Sequence, residues 1–392
     1  MRIVYICAAL AAGEGLAAEL STGAEAWPLL AILATLTALF GYGYGLKGWR
    51  YLFAFLIGVA LFWHGTVEAE QEYRNSPWMR GARRHVRHAE EGPRACAALR
   101  RDLSRRIGLG LEHDAQVAAL NRAILLGSKS DMPARARRVF VESGTIHVFA
   151  ISGLHVMVVA RVLVFMMAVL FVPLRWQGVL ALVPLWGYVL LVGAAPSAVR
   201  AAAMATLYYG ATAFCRRPDA VAAWALTFLA VHVWRPAQIA DVGSLFSFAV
   251  MLALVLVGRA ARNLGAGWRQ TLLLSLAAWA AGVPIAAHVF GRITPGALVA
   301  NLVLVPAAGC SVACGVLGVF ASCVSPTLAA HVNNVSGLFT DAMVCVAECV
   351  ARVPGASIEV PPWPLTRCLA WYLAMILGGV LVRLRRGGRI LI

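Results

Sequence analysis

The chain has 392 residues, of which 61% are hydrophobic and 13% charged. A soluble domain carries about 25% charged residues, and a single water-soluble core stops growing at about 250–300 residues. The apolar surplus excludes a soluble globular enzyme, a disordered chain and a secreted disulfide scaffold, and leaves a polytopic helical membrane protein. The formal net charge is +16, from 34 Lys and Arg against 18 Asp and Glu, and only Lys47 and Lys129 are Lys.

Apolar windows of bilayer length, about 20 residues, recur along the chain. They cover 3–19, 28–46, 49–66, 146–172, 177–194, 197–215, 219–234, 242–258, 268–290, 296–324, 327–351 and 364–382. Glu14 weakens the first. The windows at 146–172 and 296–324 exceed one simple crossing; Ser152-Gly153 interrupts the former and Pro306 the latter. Both predict broken or partly re-entrant helices, which are tolerated where protein or water covers the freed backbone groups. The expected fold class is an all-α polytopic membrane protein with about 11–12 transmembrane or partly re-entrant helices and one extracytoplasmic segment.

Charge orders these spans. With the N-terminus inside and twelve crossings, the inside segments hold 13 Lys or Arg and the short outside loops only Arg235, Arg292, Arg352 and Arg367. That bias obeys the positive-inside rule and predicts a cytoplasmic C-terminus. The expected organisation is 1–66 as N-terminal transmembrane helices, 67–143 as the extracytoplasmic segment, 144–382 as the main transmembrane domain, and 383–392 as a basic cytoplasmic tail.

Residues 67–143 hold 15 Lys/Arg and 10 Asp/Glu. Their pattern predicts amphipathic helices over 93–109 and 114–126, with Asp114 as an N-cap, and no β-domain. The cluster Arg80, Arg83, Arg84, His85, Arg87 and His88 suits polyanions, lipid headgroups or water. The cysteine pairs Cys310/Cys314 and Cys345/Cys349 sit one helical turn apart in apolar runs and read as packing. No metal-ligand spacing occurs, and no cofactor is expected.

Ionisable groups inside a membrane are costly and mark function. Beyond residue 142 the only acids are Asp219, Asp241, Asp341, Glu348 and Glu359. Arg161 and Arg200 are the buried basic candidates. They either attract anions into a polar cavity or neutralise Asp341 and Glu348 as structural ion pairs. The densest polar stretch is Gly144–His155, with Thr145, His147, Ser152 and His155. Ser152 and His155 are three apart and within reach on a helix. That spacing allows an intramembrane serine hydrolase, and equally allows helix–helix hydrogen bonding.

Several motifs in order resemble the competence domain of ComEC-type DNA-uptake proteins. They are Leu125-Leu126-Gly127, Gly144-Thr145-Ile146-His147, Ala150-Ile151-Ser152-Gly153-Leu154-His155, Pro196-Ser197-Ala198-Val199-Arg200-Ala201, Arg217-Pro218-Asp219-Ala220, Asp241-Val242-Gly243-Ser244-Leu245-Phe246-Ser247-Phe248, Phe290-Gly291-Arg292-Ile293-Thr294-Pro295, and Asn301-Leu302 with Val305-Pro306. The sixth departs from the family pattern, with Ser244 in place of Phe and Phe246 in place of a polar residue. The resemblance implies an inner-membrane channel that passes one strand of DNA into the cytoplasm. It would use His147, Ser152, His155, Arg161, Ser197, Arg200, Asp241, Ser244, Ser247 and Asn301 as the DNA path. It implies single-stranded DNA and membrane lipid as partners, with a separate receptor, nuclease and ATP-driven motor, and it is compatible with a homo-oligomer.

Many members also carry an OB-type domain and a C-terminal metallo-β-lactamase-like domain. Residues 67–143 do not read as strands, and no His-x-His-x-Asp-His cluster occurs before Ile392. No metal site and no nuclease activity are therefore expected of this chain. A transporter for another anionic substrate on the same scaffold is the alternative.

Overall fold

The computed structural model describes residues 94–128, 132–234, 242–262, 265 and 267–385. The spans expected within 3–66, the basic cluster at 80–88, Asp241 and the tail beyond Arg385 lie outside the described residues.

The protein is all-α. Among the described residues its helices are α1 (Arg94–Gly108), α2 (Ala115–Leu126), α3 (Ala134–Glu142), α4 (Gly153–Val169), α5 (Leu174–Leu191), α6 (Pro196–Ala213), α7 (Ala220–Trp234), α8 (Val242–Arg262), α9 (Trp268–Val289), α10 (Gly296–Ser322), α11 (Pro326–Ala351) and α12 (Leu365–Arg385). The only strands among the described residues are β1 (Arg292–Ile293) and β2 (Ile358–Glu359), paired antiparallel. Among the described residues α5, α9, α10 and α11 are long and apolar enough to cross a membrane, and α2, α4, α7 and α8 hold shorter apolar stretches.

The expected break before Gly153 is present. A 3-10 turn covers Ile146–Phe149, Ala150 and Ser152 are extended, and α4 starts at Gly153. The break expected at Pro306 is absent, because α10 runs unbroken through it. A proline removes one helix donor, but Leu304, Ala307 and Ala308 beside it are buried. Their packing keeps the helix continuous through the lost bond.

The core is built around the antiparallel pair α10–α11. Leu304, Ala308 and Val312 of α10 and Met343 and Ala347 of α11 share it with Val156, Val159 and Ala160 of α4, Leu185 and Val189 of α5, and Ala198 and Ala202 of α6. The many alanines allow close backbone approach, as small residues do between membrane helices.

Helix α2 belongs to the same core, through Leu120, Ala123 and Ile124. Asp114 caps it by accepting from the Gln116 and Val117 amides, and Gly127 ends it in the left-handed region at φ 68°. A Cβ at Gly315 of α10 would overlap the Leu125 side chain. The Asn333 amide on α11 donates to the Arg106 and Leu109 carbonyls at 2.8 and 3.1 Å, tying down the end of α1.

A second cluster joins α7 and α8: Trp224 stacks on Phe228, and Phe248 packs edge-on to both. At the far side, the β1–β2 clip and the Trp363 segment bring the end of α9 to the start of α12. The His288 Nδ1–H donates to the Trp363 carbonyl at 2.7 Å.

Candidate functional site

Three helices begin at one place. Ser152 is the N-cap of α4, and His155 in its first turn is fully buried. The His155 Nδ1 accepts the Ser152 backbone N–H at 3.3 Å and lies 3.1 Å from Ser152 Oγ. A ring nitrogen that accepts leaves its proton on the other nitrogen, so Nε2 is the donor. It is buried and has no hydrogen-bond partner among the described residues.

Helix α6 joins this turn directly. The Ser197 hydroxyl donates to the Ile151 carbonyl at 2.6 Å, within the extended stretch that precedes α4. Pro196 opens α6 at its first position, where a missing N–H costs nothing. One turn on, the Arg200 guanidinium reaches α8: Nη2 donates to the Gly243 carbonyl at 3.1 Å and Nε to Ser247 Oγ at 3.3 Å. It also lies 5.5 Å from the Phe248 ring centroid. Arg200 is 5% exposed and Ser244 1%. Gly153 makes the junction tight, since a Cβ there would stand 3.2 Å from Met251 of α8 and 3.8 Å from Ala201 of α6.

The electrostatics follow from this geometry. Each helix N-terminus carries about half a positive charge on its unpaired N–H groups. The start of α4, the start of α6 and a buried guanidinium therefore form an electropositive junction lined by hydroxyls. Backbone amides and arginine of this kind suit phosphate oxygens.

His147 and Arg161 take no part in this hydrogen-bonded junction. His147 is exposed and its Nδ1 bonds the Gly144 carbonyl at 3.2 Å. Arg161 is exposed on the outer face of α4. Asn301 on α10 is half-buried, and its Oδ1 has no partner among the described residues. Asp241 lies outside the described residues.

The expected ion pairs of Arg161 or Arg200 with Asp341 or Glu348 do not form. Glu348 faces Arg135 of α3 at 3.4 Å, and Arg200 is engaged by α8. The physical reason is placement: α3 lies alongside α11 and brings its own arginine there. The hydrolase geometry is also missing among the described residues. The His155 nitrogen nearest Ser152 also takes the Ser152 backbone N–H, and no carboxylate contacts Nε2. The pair is a capping box, with His155 in the role usually played by Glu or Gln.

Two polar features lie beyond the expected list. Asn121 of α2, Ser311 of α10, and Ser336 and Thr340 of α11 form a tetrad, each at most 1% exposed. Asn121 Oδ1 accepts from Thr340 at 2.5 Å and from Ser311 at 3.3 Å, and Ser336 donates to the Ser311 carbonyl at 3.0 Å. His232 belongs to the aromatic cluster, 4.0 Å from Phe228 between ring centroids. The spacing Trp224, Phe228, His232 at four-residue steps is a signal that could have selected it.

Comparison with known proteins bears on this arrangement. The family model described as Competence protein matches residues 124–385. A Bacillus subtilis (strain 168) protein named ComE operon protein 3 is 28% identical over 185 residues, 47% of this chain and 24% of that protein. An Aquifex aeolicus (strain VF5) protein named only as uncharacterized is 30% identical over 195 residues, 49% of this chain and 45% of that one. The chain spans less than half the length of either relative. No solved structure matches. The matched region runs from within α2 to the end of α12 and includes the whole junction of α4, α6 and α8, so this membrane protein belongs to the Competence protein family.

Proposed function

We propose that the chain takes part in DNA uptake and passes single-stranded DNA across the cytoplasmic membrane into the cell. The observation that carries this reading is Arg200, buried at the junction of three helix N-termini and held by Gly243 and Ser247. A single strand carries one charge per nucleotide and cannot enter hydrocarbon. It needs cations and dipoles along its way, with contacts weak enough to release it. Ser247 supplies a neutral hydrogen-bonding group on the guanidinium, and Ser152, Ser197 and Ser244 supply others at the starts of the same three helices. The charge bias of the loops supports a cytoplasmic N-terminus and C-terminus. A separate receptor, nuclease and motor complete the reading.

The test is transformation by marked DNA. Deleting the gene abolishes integration of the marker while duplex DNA still binds at the cell surface. Arg200→Ala, made as stably as wild type, also abolishes it, and Arg200→Lys restores part. Normal transformation in the deletion strain overturns the reading. Proteoliposomes that carry small organic anions but exclude labelled oligonucleotide would point instead to a different anionic substrate.

A further inference from the structure

Helix α3 is nine residues long and two-faced. Ala136 and Phe140 are buried, and Phe140 meets Phe149 edge-on with ring centroids 4.6 Å apart. Ala134, Arg135, Arg137, Arg138, Val141 and Glu142 are exposed. At about 100° per residue these six form one continuous arc around the helix. Arg135, with its side chain 82% exposed, faces Glu348 at 3.4 Å. Arg137 and Arg138 have no ion-pair partner among the described residues.

Two physical points select the partner. A helix lying in the plane of a membrane inserts a free apolar face between the lipids. Ala136 and Phe140 are already spent on the bundle and Val141 is the one large apolar side chain on the outer arc, so this arc offers charge and little apolar surface to insert between lipids. The guanidinium fork matches phosphate oxygens in pairs. The position of α3 then supplies a direction. It runs straight into buried Ser143 and Thr145, whose hydroxyls lie 2.7 Å apart, and from there into the broken segment that ends at Ser152. Gly144 between them, at φ 73°, is pressed against Thr294, so this connection is fixed to the start of α10.

We propose that the exposed arc of α3, centred on Arg137 and Arg138, is the landing surface for the phosphates of single-stranded DNA on its way to the Ser152–His155 turn. It rests on the channel reading and adds the place of first contact. The arc contributes charge without base specificity, as phosphate contacts do.

The test uses the full chain in phosphatidylcholine nanodiscs with a fluorescent single-stranded oligonucleotide, titrated with salt. Arg137→Gln combined with Arg138→Gln weakens binding several-fold. It also makes the slope of log K against log salt shallower by about 1.4, two contacts at about 0.7 each. Arg137→Lys with Arg138→Lys keeps the slope. Both pairs elute from gel filtration as wild type does. Unchanged affinity and slope in the Gln pair overturn the landing surface and leave the channel reading standing on Arg200 and transformation. If phosphatidylglycerol stabilises wild type but not the Gln pair, with oligonucleotide binding equal, the arc is a lipid contact and the proposal falls. Wild type that binds no oligonucleotide overturns the landing surface together with the channel reading.

Discussion

The hydroxyl of Ser197 lies 2.6 Å from the carbonyl oxygen of Ile151, so the first turn of α6 holds the extended stretch that opens α4. That carbonyl is outside any helix and needs a donor. Ser197→Ala leaves it without one, at a cost of about 1–3 kcal/mol for a buried unsatisfied group. Ser197→Thr keeps the bond. Thermal unfolding of the purified protein in one detergent compares the three, and an Ala variant as stable as wild type would show that the bond does not hold the break in place.

Ser152 and His155 act as a cap, so their loss is a stability effect. Ser152→Ala costs about 1 kcal/mol, and Ser152→Thr recovers most of it. Neither wild type nor variant reacts with a fluorophosphonate. Labelling at Ser152, found by peptide mass spectrometry, would restore the hydrolase alternative.

The Asn121 tetrad couples α2 to α10 and α11. A double-mutant cycle of Asn121→Ala with Thr340→Val gives a coupling of about 0.6 kcal/mol, and at most about 1.7, the range for hydrogen bonds between membrane helices. Zero coupling would mean that the two side chains do not share a bond in the folded protein.

Two glycines on α5 give a contrast within one helix. A Cβ at Gly178 would stand 2.5 Å from Tyr209, whereas Gly187 has nothing within 4 Å. Gly178→Ala overpacks the contact and destabilises by about 1–3 kcal/mol. Gly187→Ala has room and stabilises by about 0.5–1 kcal/mol through lost chain entropy. Equal effects at the two sites, read from unfolding midpoints, would contradict the packing of α5 on α6.

The helices from α4 onward are legible because long apolar runs are bounded by turns and arginines, and α2 is legible because Asp114 is a strong cap. Pro306 misled, since a local rule about proline yields to the burial of Leu304, Ala307 and Ala308 around it. Of the two readings of Arg200, attracting anions or pairing with Asp341 or Glu348, the second does not form. The acceptors of Arg200 include a backbone carbonyl, Gly243, and a carbonyl leaves no mark in a sequence. The tetrad was not legible at all. Asn121 reads as one polar residue on an apolar helix, and the three hydroxyls it meets arrive 190 or more positions later.

That separation has a consequence for how the protein is made. Ser311 lies 190 residues and Thr340 219 residues beyond Asn121. At about 5–20 residues per second, the ribosome takes about 10–40 s to reach the first of them. Throughout that interval α2 exists without the two helices that bury it, carrying an amide that hydrocarbon will not accept. The hairpin of α1 and α2 must therefore wait in a wet or chaperoned place while the next eight described helices, α3 to α10, are laid down. It docks long after it is made, and any step that delays α10 and α11 leaves it open to proteolysis.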